Sequence, residues 1–183
     1  DENGVSGLEY IVPVETIDGI QNCETIAAAS PRVGAVIGPT AEHADIAKAV
    51  GYEWTPEGLE SLFHRSKILL ATRAVSRHPL TALWERIHDL DGLREFATQG
   101  RKMGFRGQVV LHPTHVSVVN EVYSPPQDVI DFYRGLLLTY NEAEKRGDGA
   151  VMYGDIHVDK AHADKAEEWL SRVDELASLN GGM

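Results

Sequence analysis

Glu15 closes an apolar segment, Tyr10 to Val14, and a second apolar segment, Val33 to Ile37, runs through a Gly38-Pro39 turn toward further acids. In a barrel of parallel strands, the residues at the carboxyl ends of neighbouring strands point into one shared pocket, where such enzymes do their chemistry. Carboxylates placed there suit a hard divalent cation held through oxygens. A third apolar segment, Gln108 to Leu111, leads into His112-Pro113, which puts an imidazole at the same kind of strand end. His112 is open to two readings there, a buried structural histidine or a contact to substrate. The chain has eight histidines and one cysteine, and none shows the tight ligand spacing of a zinc site.

These residues need strands and helices in alternation to hold them, and the apolar periodicity predicts that alternation. Ile20, Cys23, Ile26 and Ala27 recur at helical spacing and stop at Ser30-Pro31. Ala44 to Val50 reads as a short helix closed by Gly51. Thr55 and Pro56 open a helix on which Leu59, Leu62 and Phe63 share a face, ending about Val75. A strand is expected at Leu80 to Trp84, a helix at Asp91 to Met103 closed by Gly104, and a strand at Gln108 to Leu111. After Ser124-Pro125-Pro126 comes an amphipathic helix through Val129, Tyr133, Leu136, Leu137 and Tyr140, ended by Gly147. Val151 to Asp159 is extended and interrupted by glycine. The last helix carries Ala166, Trp169, Leu170 and Val173, before a fraying Asn180-Gly181-Gly182 tail.

Alternating strands and helices predict a parallel α/β architecture. The 183 residues, 43% hydrophobic and 25% charged, suffice for a sizeable core, but about four strands fall short of a closed eight-stranded barrel. A formal charge of −11 argues against a nucleic-acid partner, because no basic stripe is present to displace counterions. Cys23 has no disulfide partner and reads as a small buried apolar residue. No apolar run is long enough to span a bilayer, and the acidic start Asp1-Glu2-Asn3 is unlike a secretory signal, so a soluble cytoplasmic protein is expected.

Two blocks of the sequence carry a family resemblance. Val14-Glu15-Thr16-Ile17-Asp18-Gly19-Ile20-Gln21-Asn22, with Ile26-Ala27-Ala28-Ala29 and Arg32-Val33 after it, resembles the HpcH/HpaI aldolase and citrate lyase β-subunit superfamily. Gly104-Phe105-Arg106-Gly107, His112-Pro113-Thr114-His115 and Val119-Asn120-Glu121-Val122-Tyr123-Ser124-Pro125 resemble its CoA-thioester branch, the malyl-CoA and citramalyl-CoA lyases. The resemblance implies the C-terminal half of a (β/α)8 TIM barrel with a C-terminal helical lid. Residues 1–147 then form the barrel half, corresponding to strands five to eight of the family, and residues 148–183 the lid. The implied activity is Mg2+-dependent cleavage or condensation at carbon-carbon, with Mn2+ as the alternative ion. A 3-hydroxy-acyl-CoA is split into an acyl-CoA and a 2-oxo acid, so coenzyme A enters as part of the substrate.

Site roles follow from the same resemblance. Glu15 matches the first metal carboxylate. The second is Asp45 by the local pattern Asp45-Ile46-Ala47-Lys48-Ala49-Val50-Gly51, or Glu42 by counting forward from Glu15 without a gap. His112 and Pro113 are the substrate-binding candidates. Tyr153-Gly154-Asp155-Ile156-His157-Val158-Asp159 resembles the lid motif with one extra residue, which makes Asp159 the acid that protonates the enolate, reaching a neighbouring subunit in a homo-oligomer, trimer or hexamer. Thr81 stands where the family often has an aspartate. Outside the resemblance, Glu15 and Asp159 also read as helix caps and Asp45 as an N-cap. Two other functions remain open: a thioesterase on the same scaffold, and a half-barrel that supplies structure only.

Overall fold

A computed structural model of the chain describes residues 7–38 and 40–180. Pro39 of the expected Gly38-Pro39 turn, the start Asp1-Glu2-Asn3 and the Gly181-Gly182 tail lie outside the described residues. The chain divides into two compact units, residues 1–123 and 124–183.

The first unit alternates strand and helix: β1 (Tyr10–Pro13), α1 (Ile17–Gln21), α2 (Cys23–Ala28), β2 (Val33–Gly38), α3 (Asp45–Val50), α4 (Leu62–Ala74), β3 (His78–Thr81), α5 (Leu90–Met103), β4 (Gly107–Gln108) and α6 (Pro113–Tyr123). The strands form one sheet in the order β1-β2-β3-β4, each pair parallel. Parallel neighbours taken in sequence order, with helical crossovers between them, are the arrangement of half a (β/α)8 barrel. Val14, Val33 and Val36 of the sheet meet Cys23 and Ala27 of α2 and Ile68 and Ala71 of α4 in one core. Ile68 is fully buried, a contribution of about 1.5–3 kcal/mol for a side chain of its size. A second cluster joins Ala82 and Trp84 to Leu93, Phe96, Val118 and Val119.

The second unit holds α7 (Gln127–Lys145), β5 (Ala150–Tyr153), β6 (Ile156–Asp159) and α8 (Lys160–Asn180). β5 and β6 pair antiparallel with Tyr153 opposite Ile156, and Gly154 takes the tight turn at φ +58°. A positive φ in a two-residue hairpin favours glycine. Leu136, Tyr140, Val158, Ala163 and Ala166 form the core, flanked by the Tyr133 and Trp169 rings at 4.9 Å. No helix among the described residues is long and apolar enough to cross a membrane.

Four local expectations shift in the structure. The helix expected to run to Ser30 breaks at Asn22, whose side-chain amide donates to the Asp18 carbonyl at 2.8 Å. Thr55 and Pro56 do not open a helix. The Thr55 hydroxyl accepts from Gly58 N and donates to Glu60, Gly58 turns the chain at φ +68°, and α4 begins only at Leu62. Strand β3 lies at His78–Thr81, ahead of the expected Leu80 to Trp84, because Ala82 and Trp84 leave the sheet to enter the second core. Strand β4 is confined to Gly107–Gln108, and α6 begins directly at Pro113.

Candidate active site at the carboxyl edge of the sheet

Because all four strands are parallel, their carboxyl ends lie along one edge. Pro13 is level with Ile37, Gly38 with Thr81, and Thr81 with Gln108. The pairing reaches one residue further at two places, where Val14 N donates to the Ile37 carbonyl (3.2 Å) and Val109 N to that of Thr81 (3.2 Å). Glu15 follows immediately. Val14 is buried in the helix-side core, so alternation places Glu15 with Ile11 and Pro13 on the opposite face of the sheet, the inner face of a barrel. Glu15 is exposed and makes no hydrogen bond or ion pair among the described residues. Its carboxylate is therefore available to a ligand.

The loops after β2 and β3 are tied to each other. Glu85 Oε2 accepts from the His43 backbone N–H (2.9 Å) and lies 3.0 Å from His43 Nδ1. Arg86 Nη2 donates to Glu42 Oε2 at 2.8 Å, and its guanidinium lies 5.6 Å from the ring centres of both Trp54 and Trp84. Trp54 in turn donates its indole N–H to the Thr40 carbonyl at 2.7 Å. One potential ligand atom from each of Glu42, His43 and Glu85 falls within 4.8 Å of the others. Glu15 and Asp45 belong to no such group among the described residues. Asp45 is an exposed acid in the first turn of α3, where Ala44 takes the N-cap position without a side-chain bond.

His112 ends the segment after β4. Its Nδ1 accepts from Thr114 N at 3.3 Å and lies 2.9 Å from the Thr114 hydroxyl, while its carbonyl accepts from His115 N. It therefore caps α6, with Pro113 at the first helical position, where the missing N–H costs nothing. His115 is fully buried, with Nε2 3.0 Å from the Ile87 carbonyl.

Asp159 lies in the second unit as the last residue of β6. It accepts from His162 N (3.2 Å) and pairs with His162 Nδ1 at 2.7 Å, a capping geometry at the start of α8. The side-chain hydrogen bond from His162, followed by the backbone one, holds its carboxyl below the ordinary aspartate value. In that state Asp159 is a carboxylate at neutral pH, with the His162 imidazole beside it.

The edge thus supplies hard oxygen donors from Glu15, Glu42 and Asp45, and this donor chemistry fits Mg2+. His43 adds a nitrogen next to Glu42, which widens the set toward ions that accept imidazole. The grouping with Glu85 was absent from the sequence reading. It depends on two loops meeting across the sheet, and no local spacing announces it.

Comparison with known proteins agrees with this architecture. The chain is 30% identical to a (3S)-malyl-CoA thioesterase of Cereibacter sphaeroides over 96% of its own length and 60% of that protein's. It therefore spans less than two thirds of the relative. A citrate lyase from Burkholderia xenovorans superposes with a TM-score of 0.80 at 18% identity, over 96% of this chain and 56% of that one, a likeness of fold. Protein CitE from Mycobacterium tuberculosis, solved in complex with magnesium, acetoacetate and coenzyme A, superposes with a TM-score of 0.69 at 26% identity, over 94% of this chain and 63% of that one. The sequence pattern of one family matches residues 5–113, which hold β1 to β4 and every edge carboxylate named above. With that match over more than half its length, the chain belongs to the HpcH/HpaI aldolase/citrate lyase family.

Proposed function

We propose that this chain acts as a Mg2+-dependent carbon-carbon lyase on a 3-hydroxy-acyl-CoA such as malyl-CoA or citramalyl-CoA. The observation that carries the reading is Glu15, a carboxylate without a partner among the described residues, on the barrel-facing side of a parallel sheet's carboxyl edge, with Glu42 on the next loop. Glu15 with Asp45 or Glu42 would hold the ion, which supplies Lewis-acid polarisation of the substrate oxygens when bound. The CitE complex with magnesium, acetoacetate and coenzyme A supports that ligand class.

In the cleavage direction the substrate hydroxyl loses its proton and becomes the carbonyl of the 2-oxo acid. The bond between the carbinol carbon and the carbon next to the thioester breaks, and its electron pair passes to the acyl-CoA enolate. A proton delivered to that carbon completes the acyl-CoA. We assign that proton to Asp159, a carboxylate at rest that takes up a proton equivalent to the one the substrate hydroxyl releases before passing it on, and the family resemblance supports its delivery to a neighbouring subunit of a cytoplasmic homo-oligomer. His112 and Pro113 would border the substrate at the fourth strand end.

Glu15→Gln tests the assignment. The expected result is loss of Mn2+ binding together with cleavage, in a protein that melts like the parent. Retention of both would remove Glu15 from the site.

A second reading is thioester hydrolysis, favoured by the likeness to the malyl-CoA thioesterase. There water attacks the thioester carbonyl, the carbon-sulfur bond breaks, and free coenzyme A leaves with the acid.

A further inference from the structure

We infer that His115 is a positioning residue that holds the β3–α5 loop in place, and through it the engagement of Glu42 and His43. The ring is fully buried, yet its Nε2 lies 3.0 Å from the backbone carbonyl of Ile87. A carbonyl accepts, so Nε2 carries the proton and donates. Nδ1 has no partner among the described residues and keeps a bare lone pair. A buried imidazole with one nitrogen unsatisfied is costly. An apolar side chain would fill the same space without that cost, and the bond to Ile87 is what the imidazole supplies in return.

Ile87 directly follows the two residues that reach across to the β2–α3 loop. Glu85 accepts from the His43 backbone N–H, and Arg86 donates to Glu42. Within the loop, Asp89 N returns to the Arg86 carbonyl at 3.0 Å, so a shift at Ile87 is carried to Arg86. His115 itself is fixed from the other side, since its backbone N–H is held by the His112 carbonyl at 3.0 Å at the start of α6. One hydrogen-bonded path therefore runs from the fourth strand end, through the third, to the second. The relevance of this path to catalysis rests on the proposed role of Glu42; the coupling itself does not.

The test uses the whole 15N-labelled chain. In the parent, the 15N shifts of the His115 ring are expected to report a proton on Nε2 and none on Nδ1, and the opposite tautomer would overturn the assignment. Amide exchange then reads the coupling at the His43 N–H. In His115→Leu it is expected to exchange at least about ten times faster, while amides in the middle of α5 and α6 keep their rates. His115→Gln, whose side-chain amide can donate to Ile87 from a similar reach, is expected to restore the parent rate to within about twofold. An unchanged His43 rate in His115→Leu would overturn the proposal, and so would a failure of His115→Gln to rescue. Should His115→Leu not fold, the tautomer in the parent and the His43 rate in His115→Gln still decide it. Because neither readout involves turnover, an inactive protein would count against the lyase reading and leave this one standing.

Discussion

Arg86 donates to Glu42 at 2.8 Å while resting against the indoles of Trp54 and Trp84, so the loop after β3 sets the charge felt by the loop after β2. This pair stands at the edge where the proposed cation binds. A guanidinium on Glu42 neutralises one oxygen donor and competes with any incoming cation.

Removing that competitor should strengthen cation binding. Arg86→Ala is expected to raise Mn2+ affinity severalfold, read by electron paramagnetic resonance titration. Both partners are part-exposed, so the pair itself contributes about 1 kcal/mol or less to stability. A fall in affinity would mean that Arg86 organises Glu42 for the ion instead of competing with it.

Arg65 is a buried cation that anchors the 54–61 turn to α5. Its Nη1 donates to Gln99 Oε1 at 2.7 Å and its Nη2 to the Gly58 carbonyl at 3.2 Å. Burial lowers its pKa, with Glu60 and Tyr52 pulling the other way. Arg65→Ala leaves a cavity and strips Gln99 Oε1 of its donor, while the Gly58 carbonyl keeps the Ser61 hydroxyl and N–H, so a loss of about 2–3 kcal/mol is expected by urea denaturation.

Glu60 links the same turn to pH. Burial pushes its carboxyl up, but the Thr55 N–H, its own backbone N–H, the Thr55 hydroxyl and the Arg65 charge together outweigh burial and hold it below the ordinary value of 4.5. A carboxyl lowered in the folded state stabilises above its unfolded pKa, and that stability is lost as pH falls through the folded pKa. The stability difference between the parent and Glu60→Gln should therefore be full at neutral pH and shrink as pH drops below about 4.5. A difference independent of pH from 7 to 3 in chemical denaturation would contradict this.

Gly135 in α7 faces the Tyr153 ring so closely that a Cβ there would overlap the phenol oxygen. Gly135→Ala should displace Tyr153 and loosen the hairpin against α7. Overpacking of this kind costs about 1–3 kcal/mol, offset by the roughly 0.5–1 kcal/mol that alanine gains over glycine inside a helix, and a loss of protection confined to β5 and β6 in hydrogen exchange would locate it.

The apolar runs Tyr10 to Val14 and Val33 to Ile37 made β1 and β2 legible, although only β2 is largely buried and Tyr10, Ile11 and Pro13 of β1 are exposed. Helices α5 and α7 were legible from their periodicity, and Gly104 at φ +111° ends α5 as its sequence position implies. Helix α6 was missed although His112-Pro113-Thr114 holds a signal for it, a capping side chain followed by proline at the first helical position. The same residues at a strand end also fit a substrate contact, and that fit hides the helix start. At the site, Glu15 was legible because it depends only on its own strand. The meeting of Glu42 and His43 with Glu85 and Arg86 was not, because it is set by how Trp54 and Trp84 pack beneath two loops far apart in sequence.

The most direct test of the lyase proposal is mass-spectrometric product analysis of malyl-CoA incubated with this protein and Mg2+, with and without a chelator. The proposal predicts acetyl-CoA and glyoxylate, abolished by chelation. Malate with free coenzyme A would contradict it in favour of hydrolysis, and intact malyl-CoA would contradict a working site in this chain.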